Sequence, residues 1–381
     1  MKCPRCSNTD QHFFYKGSKG WLCRKCIKFK RVLIKENLSV CDNDEIHDNA
    51  SEYLYPFKLT KMQTMISKKC SENILYSDVF IEAVCGAGKT ELVVKSISDA
   101  LGHKKRVAFA IARRQVVLEI KKRMELIFKS AKVVAVCEGY TKDIFGDLII
   151  CTTHQLYRYP NYFDLLIIDE PDAFPFKGNK LLQSIARNSC RAHIIYLTAT
   201  PDAYLKSRIE EKSISHLLLN RRPHQKDIIV PYKVVGPFFY LVTYLFNWLK
   251  NKKLVIVFVP TKKMCNLLSK IINKRSMAIH SDIEGKDEII RKFKEKKFEV
   301  LFSTTLLERG ITINDVDVCV FLADHKVFDL ASLVQMSGRV GRNFNNPYGK
   351  CLFLSNKQSL IVDECIKYCK RMNNEKMSVL S

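Results

Sequence analysis

No run of roughly eighteen apolar residues occurs in the 381-residue chain, so no segment reads as a membrane-spanning helix. The opening Met1-Lys2-Cys3-Pro4-Arg5-Cys6 lacks the apolar core of an export signal, and the protein is expected in the cytoplasm. Short-period repeats and low-complexity tracts are absent as well. Acid is scarce: 39 Asp and Glu stand against 63 Lys and Arg, a formal charge of +24. Such an excess steers in a polyanion such as nucleic acid. A lysine-rich solvated surface is the plainer reading of the same number, and residues 292–297 look like a solvated helix face. Cysteine is plentiful, but fifteen is an odd number in a long chain without an export signal, which argues against a disulfide framework. Most are expected as reduced thiols, with Cys151, Cys190, Cys319 and Cys351 in the core.

At 47% hydrophobic residues, the chain can bury two or three cores. Residues 1–50 are cysteine-rich and then acidic, which suits a small appended module and its linker. Residues 51–205 alternate strand and helix. Short β-branched runs at 80–84, 106–112, 133–136, 148–152, 165–168 and 194–197 suit buried parallel strands. Between them, Val117, Ile120, Met124 and Ile127 recur at helical spacing. A polar stretch over 205–250 is expected to join this block to a second one in residues 206–381, with strands beginning near 254, 277, 300, 318 and 351. The expected fold is α/β, with two tandem doubly wound parallel-sheet domains.

The chemistry is concentrated in a few phrases. Ala83-Val84-Cys85-Gly86-Ala87-Gly88-Lys89-Thr90-Glu91 follows a strand and opens a helix, as a phosphate-binding loop does. Gly86 and Gly88 let backbone N–H groups approach phosphate oxygens, Lys89 neutralises them, and Thr90 ligates Mg2+. Ala83 stands where the loop's first glycine is usual. Asp169 and Glu170 end an apolar strand, where Asp169 can hold Mg2+ and Glu170 can polarise the attacking water. Arg339 and Arg342, three apart on a helix-like segment, can stabilise charge on a transferring phosphoryl group. Together these residues predict an ATPase using ATP and Mg2+. At the other end, Cys3, Cys6, Cys23 and Cys26 fit a four-thiolate Zn2+ site. The basic and aromatic residues around them suit stacking on unpaired bases, or else form the module's own core.

The motifs from Leu59 to Arg342 resemble superfamily 2 helicases and translocases, which implies that the two sheet domains are RecA-like. The segment ending in Gln63 is similar to the motif that reads adenine. Arg113, Arg114, Thr153 and His154 fall in segments that resemble strand-contacting motifs, and Thr198-Ala199-Thr200 is similar to the coupling motif. The segment from Ser303 to Thr312 resembles the motif that touches both nucleic acid, through Thr305, and nucleotide, through Gly310. Glu91 falls with the nucleotide loop. The zinc module, together with Asp169-Glu170-Pro171-Asp172-Ala173-Phe174-Pro175, narrows the resemblance to the ComFA family of late competence ATPases, with Pro171 where valine is usual.

That resemblance implies a cytoplasmic motor at the inner membrane face that pulls single-stranded DNA inward. Its implied partners are a ComFC-like phosphoribosyltransferase-fold protein and the DNA-uptake channel, with membrane association only through them. Two other readings stay open: a PriA-like repair or replication-restart helicase, and a non-enzymatic nucleic-acid adaptor.

Overall fold

The β-branched runs become parallel strands. A computed structural model of the chain describes residues 1–35, 38, 40, 45–250, 254–272, 275–308, 313 and 315–375. It divides into two compact units, one built on Met1–Ala83 and Gly88–Leu219, the other on residues from Asn220 onward, with Val84–Ala87 grouped with the second.

The first unit begins with an antiparallel hairpin, β1 (Phe14–Gly17) and β2 (Gly20–Cys23). Its main sheet has seven strands: β3 (Val79–Ala83), β4 (Val107–Ile111), β5 (Val133–Val136), β6 (Leu148–Thr152), β7 (Phe163–Asp169), β8 (Cys190–Thr198) and β9 (Ser215–Leu219). The order is β5-β6-β4-β7-β8-β3-β9 and every ladder is parallel. Strands β3 to β6 are buried along their whole length, which explains why they read as continuous apolar runs. The helices are α1 (Lys61–Asn73), α2 (Lys89–Leu92), α3 (Val94–Gly102), α4 (Arg114–Ile127), α5 (Lys180–Ser189) and α6 (Ala203–Glu210). As the spacing predicts, α4 buries Val117, Ile120, Met124 and Ile127.

The second unit holds α7 (Phe238–Lys250), α8 (Lys262–Ile271), α9 (Lys286–Lys294), α10 (Leu330–Ser337) and α11 (Leu360–Asn374). Its strands are β10 (Tyr232–Val235), β11 (Val255–Phe258), β12 (Ser276–Ile279), β13 (Val300–Ser303), β14 (Asp317–Phe321) and β15 (Cys351–Ser355). They form a parallel sheet in the order β10-β15-β14-β11-β13-β12.

Residues 205–250 differ from the expected polar joining stretch. They supply β9 to the first sheet, β10 to the second, and α7, which buries Leu241, Leu245 and Leu249. In α7 the buried leucines recur every four residues and Thr243, Asn247 and Lys250 are exposed, so the stretch is an amphipathic helix with a strongly apolar composition, not a polar joint.

The cysteine module is appended in sequence but packed in space. Phe29 and Val32 share a buried cluster with Ile168, Leu182 and Ile185 of the first unit. Asn188 on α5 donates to the carbonyl of Arg5 at 2.8 Å and to Ser7 Oγ at 2.9 Å. The following segment is held by buried Asp147, which accepts from the backbone N–H groups of His47 at 3.0 Å and Lys132 at 2.7 Å. Among the described residues no helix is long and apolar enough to cross a membrane, and the fourteen described cysteines are all buried free thiols.

Candidate nucleotide site and strand-contacting edge

Because all seven strands of the first sheet are parallel, their carboxyl ends emerge along one edge, where ligands bind in open α/β sheets. Strand β3 runs into the phosphate loop, β7 ends on Asp169, and β8 ends on Thr198. In the sheet order β7 and β3 flank β8, so the Asp169 end lies two strand spacings, about 10 Å, from the end that feeds the loop. On the far side of β7, β4 leads to Arg113 and Arg114, and β6 leads to Thr153 and His154. One edge thus carries the candidate nucleotide residues at one end and the candidate strand-contacting residues at the other.

Ala83, where the loop's first glycine is usual, is the fully buried last residue of β3. Gly86 and Gly88 both have φ of +81°, the left-handed region that favours glycine. A Cβ on Gly88 would lie 2.7 Å from Gln63 Nε2. Gln63 reaches the loop because it closes a capping box at the start of α1: its Oε1 accepts from the Thr60 N–H at 3.0 Å, and its own N–H donates to Thr60 Oγ1 at 3.2 Å. Lys89 opens α2, with Thr90 buried behind it. Glu91 is also buried, its carboxylate 3.4 Å from Arg123 and its carbonyl accepting from the Tyr55 hydroxyl at 3.2 Å.

Asp169 is buried at the end of β7, and Glu170 leaves the strand at φ +54°. A non-glycine residue held there stores roughly 1 kcal/mol of strain. Its N–H donates to the Leu197 carbonyl at 2.8 Å, and its carbonyl accepts from the Ala173 N–H at 2.9 Å. Asp172 is a residue the sequence reading left without a role. Its buried carboxylate accepts from Thr198 Oγ1 and, at 2.8 Å, from Thr200 Oγ1. Thr198 Oγ1 in turn accepts from the Thr200 N–H at 3.0 Å. The segment after Glu170 is thereby latched to the end of β8.

Among the candidate strand-contacting residues, Arg113 precedes α4 and Arg114 is its exposed first residue. Arg114 Nε donates to the Glu138 carbonyl at 2.8 Å. Thr153 is 1% exposed, so its side chain faces inward, whereas His154 is half-buried beside Phe29, with ring centroids 6.1 Å apart. Desolvation, and then Lys28, lower its pKa below the ordinary imidazole value.

In the second unit, Thr305 starts a short 3-10 turn after β13. Gly310, Arg309 and Thr312 lie outside the described residues. The helix-like segment expected for Arg339 and Arg342 is instead turn: α10 stops at Ser337, and Gly341 takes φ +67°. Arg342 Nε donates to the Gly338 carbonyl at 2.8 Å. Arg222, buried and unforeseen, shapes this turn by donating to the carbonyls of Gly338 at 2.9 Å, Val340 at 2.6 Å and Gly341 at 2.7 Å. Burial, and then the charge of Arg342, push its guanidinium down to about 10. One of two adjacent arginines, Arg221 and Arg222, in a polar stretch gives no sequence signal for such a role.

The sulfur atoms of Cys3, Cys6, Cys23 and Cys26 lie within 4.8 Å of one another. The separations Cys3–Cys26 and Cys6–Cys23 are 3.7 and 3.8 Å. A tetrahedron with Zn–S bonds of about 2.3 Å has an edge of about 3.8 Å, so the donor set fits Zn2+. The hydrogen bond to Cys3 holds the Cys26 thiol well above its ordinary range, a conflict that a bound dication removes.

Residues 56–203 match the family "Type III restriction enzyme, res subunit", and residues 238–344 match "Helicase conserved C-terminal domain". The fold is shared with Saccharomyces cerevisiae Dbp5 bound to RNA and ADP BeF3, at a TM-score of 0.63, 16% identity, and coverage of 84% of this chain and 88% of that one. RecG bound to a three-way DNA junction aligns at a TM-score of 0.57 and 20% identity, over 84% of this chain and 46% of that one. The two RecA-like sheets and their matching families define an ATPase of helicase superfamily 2. Competence protein ComFA of Streptococcus pneumoniae is 30% identical over 98% of this chain and 90% of its own length. The Bacillus subtilis protein of the same name is 29% identical, over 98% and 85%. The chain belongs to the ComFA family.

Proposed function

We propose that the protein hydrolyses ATP to draw single-stranded DNA inward during uptake of transforming DNA, acting at the inner face of the cytoplasmic membrane. The observation that carries this reading is the match to proteins named for competence over 98% of the chain, cysteine module included. In this reading Lys89 and the N–H groups around Gly86, Ala87 and Gly88 bind the phosphates, while Gln63 supports the loop next to the base site. Thr90 and Asp169 would hold Mg2+, which supplies charge neutralisation at the phosphates when bound. Glu170 orients and deprotonates the attacking water, held in place by its strained backbone and by the Asp172 latch. Arg339 and Arg342 of the second unit contribute positive charge to the transferring phosphoryl group, with Gly310 also assigned to the nucleotide.

Arg113, Arg114 and His154 on the first unit and Thr305 on the second grip the DNA backbone. Thr153, facing inward, supports His154 in that role. The four cysteines hold Zn2+ and so fix the module beside His154. Contact with the membrane runs through partners, a ComFC-like phosphoribosyltransferase-fold protein and the uptake channel.

The test is ATP hydrolysis without DNA, with single-stranded DNA and with duplex DNA. Stimulation by single strands that Lys89→Ala and Glu170→Gln both abolish is expected. Preference for forked or duplex DNA would favour a repair or restart helicase, and no hydrolysis at all would leave a nucleic-acid adaptor.

A further inference from the structure

The cysteine module carries a surface that the ATPase chemistry does not use. Residues 1–35 hold ten Lys and Arg against one acid, Asp10. On the β1–β2 hairpin, Phe14 pairs with Cys23 and turns inward, while Tyr15 pairs with Leu22 on the opposite face. That face opens on a groove of about 680 Å³ with Tyr15, Leu22 and Ile27 in its walls and Lys19, Arg24 and Arg31 around it. Phe14 and Phe29, at 8% and 6% exposure, are core, whereas Tyr15 and Ile27 are each 49% exposed. In so small a module, leaving large apolar side chains in water forfeits stabilisation that burial would give. The Arg24 guanidinium lies 4.5 Å over the Tyr15 ring, a cation–π pair that covers one face of the ring and orders both groups.

We propose that this groove is a second binding site for unpaired nucleotides: Tyr15 stacks a base, and Arg24, Arg31 and Lys19 hold the flanking phosphates. The inference rests on the reading that the chain engages single-stranded DNA, and it extends the path of that strand. Phe29, from the same module, packs on His154 and on Tyr157 at 5.4 Å, within the segment Thr153–Arg158. The groove is therefore fixed relative to the candidate strand-contacting residues of the first unit. A fixed site outside the moving grips retains the strand between cycles. Charge selects the occupant, because a polyanion complements ten cations, and an exposed ring is useful only to bases that are out of a duplex stack.

The experiment uses the full chain, with zinc content measured for every variant. Anisotropy titrations with labelled oligo-dT should show Tyr15→Ala binding about tenfold more weakly, the effect of losing one stacked base. The pair Arg24→Gln and Arg31→Gln should lower the slope of log affinity against log salt by about 1.4, roughly 0.7 for each lost phosphate contact on a single strand. Photo-crosslinking with 5-iododeoxyuridine oligonucleotides should place an adduct on Tyr15. Should Tyr15→Ala lose its zinc, the arginine pair and the crosslink decide. If the wild-type protein binds single strands and is stimulated by them while zinc-loaded variants bind unchanged and the adduct falls elsewhere, the groove is overturned and the motor stands. The same holds if the variants lose only a bound protein partner. If the wild-type protein neither binds single strands nor responds to them, both readings fall.

Discussion

Thr198→Val should weaken both the stability and the catalytic rate of this protein, and the size of the first effect follows from the latch. The substitution keeps the β-branched shape but removes one donor to the buried Asp172 carboxylate and the acceptor used by the Thr200 N–H. A hydrogen bond to a buried charged group contributes about 1.5–3 kcal/mol. Taking about 2 kcal/mol, a unit of this size should melt about 4–8 °C lower. Asp172→Asn should also destabilise, because its amide can accept from only one of the two threonines. The double variant should then lose less than the sum, with a coupling of at least about 1 kcal/mol. Because the latch holds the segment that follows Glu170, kcat should fall about 10–100-fold from misplacement of the carboxylate. Thermal melts followed by circular dichroism and single-strand-stimulated ATPase assays measure both. Additivity within about 0.5 kcal/mol, or an unchanged kcat in Thr198→Val, would refute the latch.

Two other outcomes are expected. Glu170→Gly and Glu170→Ala should both abolish hydrolysis, but the glycine variant should melt about 2–4 °C above the alanine variant, because only alanine keeps the roughly 1 kcal/mol strain of φ +54°. Equal melting temperatures in a differential scanning experiment would count against stored strain. A thiol-reactive mercurial with a zinc-sensitive dye should release one zinc per chain, and Cys23→Ser should release less. Zinc loss should also lower the melting temperature of the first unit, since Phe29 and Val32 share its core.

The sequence carried the strands and the phosphate loop because both have local causes. Residues 107–111 and 148–151 are buried on both faces and so are apolar throughout, and Gly88 must be glycine where φ is positive and Gln63 sits against it. The four-cysteine cluster was legible from spacing alone, because each Cys-x-x-Cys pair brings its two sulfurs to one side of a tight turn. The region 205–250 was not legible. Strand β9 reads Ser215-His216-Leu217-Leu218-Leu219 rather than as a β-branched run, and the exposed face of α7 is marked only by Thr243, Asn247 and Lys250 among apolar neighbours.

What the sequence determined by itself is therefore the inventory: the strands and helices of two α/β blocks, a phosphate loop, a pair of carboxylates and two cysteine pairs, each set by residues within a few positions of one another. Tertiary structure decided which groups meet. Asp172 finds Thr198 and Thr200 only because β7 and β8 are neighbours in the sheet. Arg222 gathers the turn after α10 from more than a hundred residues away, and Phe29 of the cysteine module comes to rest on His154. Such contacts depend on strand order and on burial of distant apolar faces, and no local spacing in the chain encodes them.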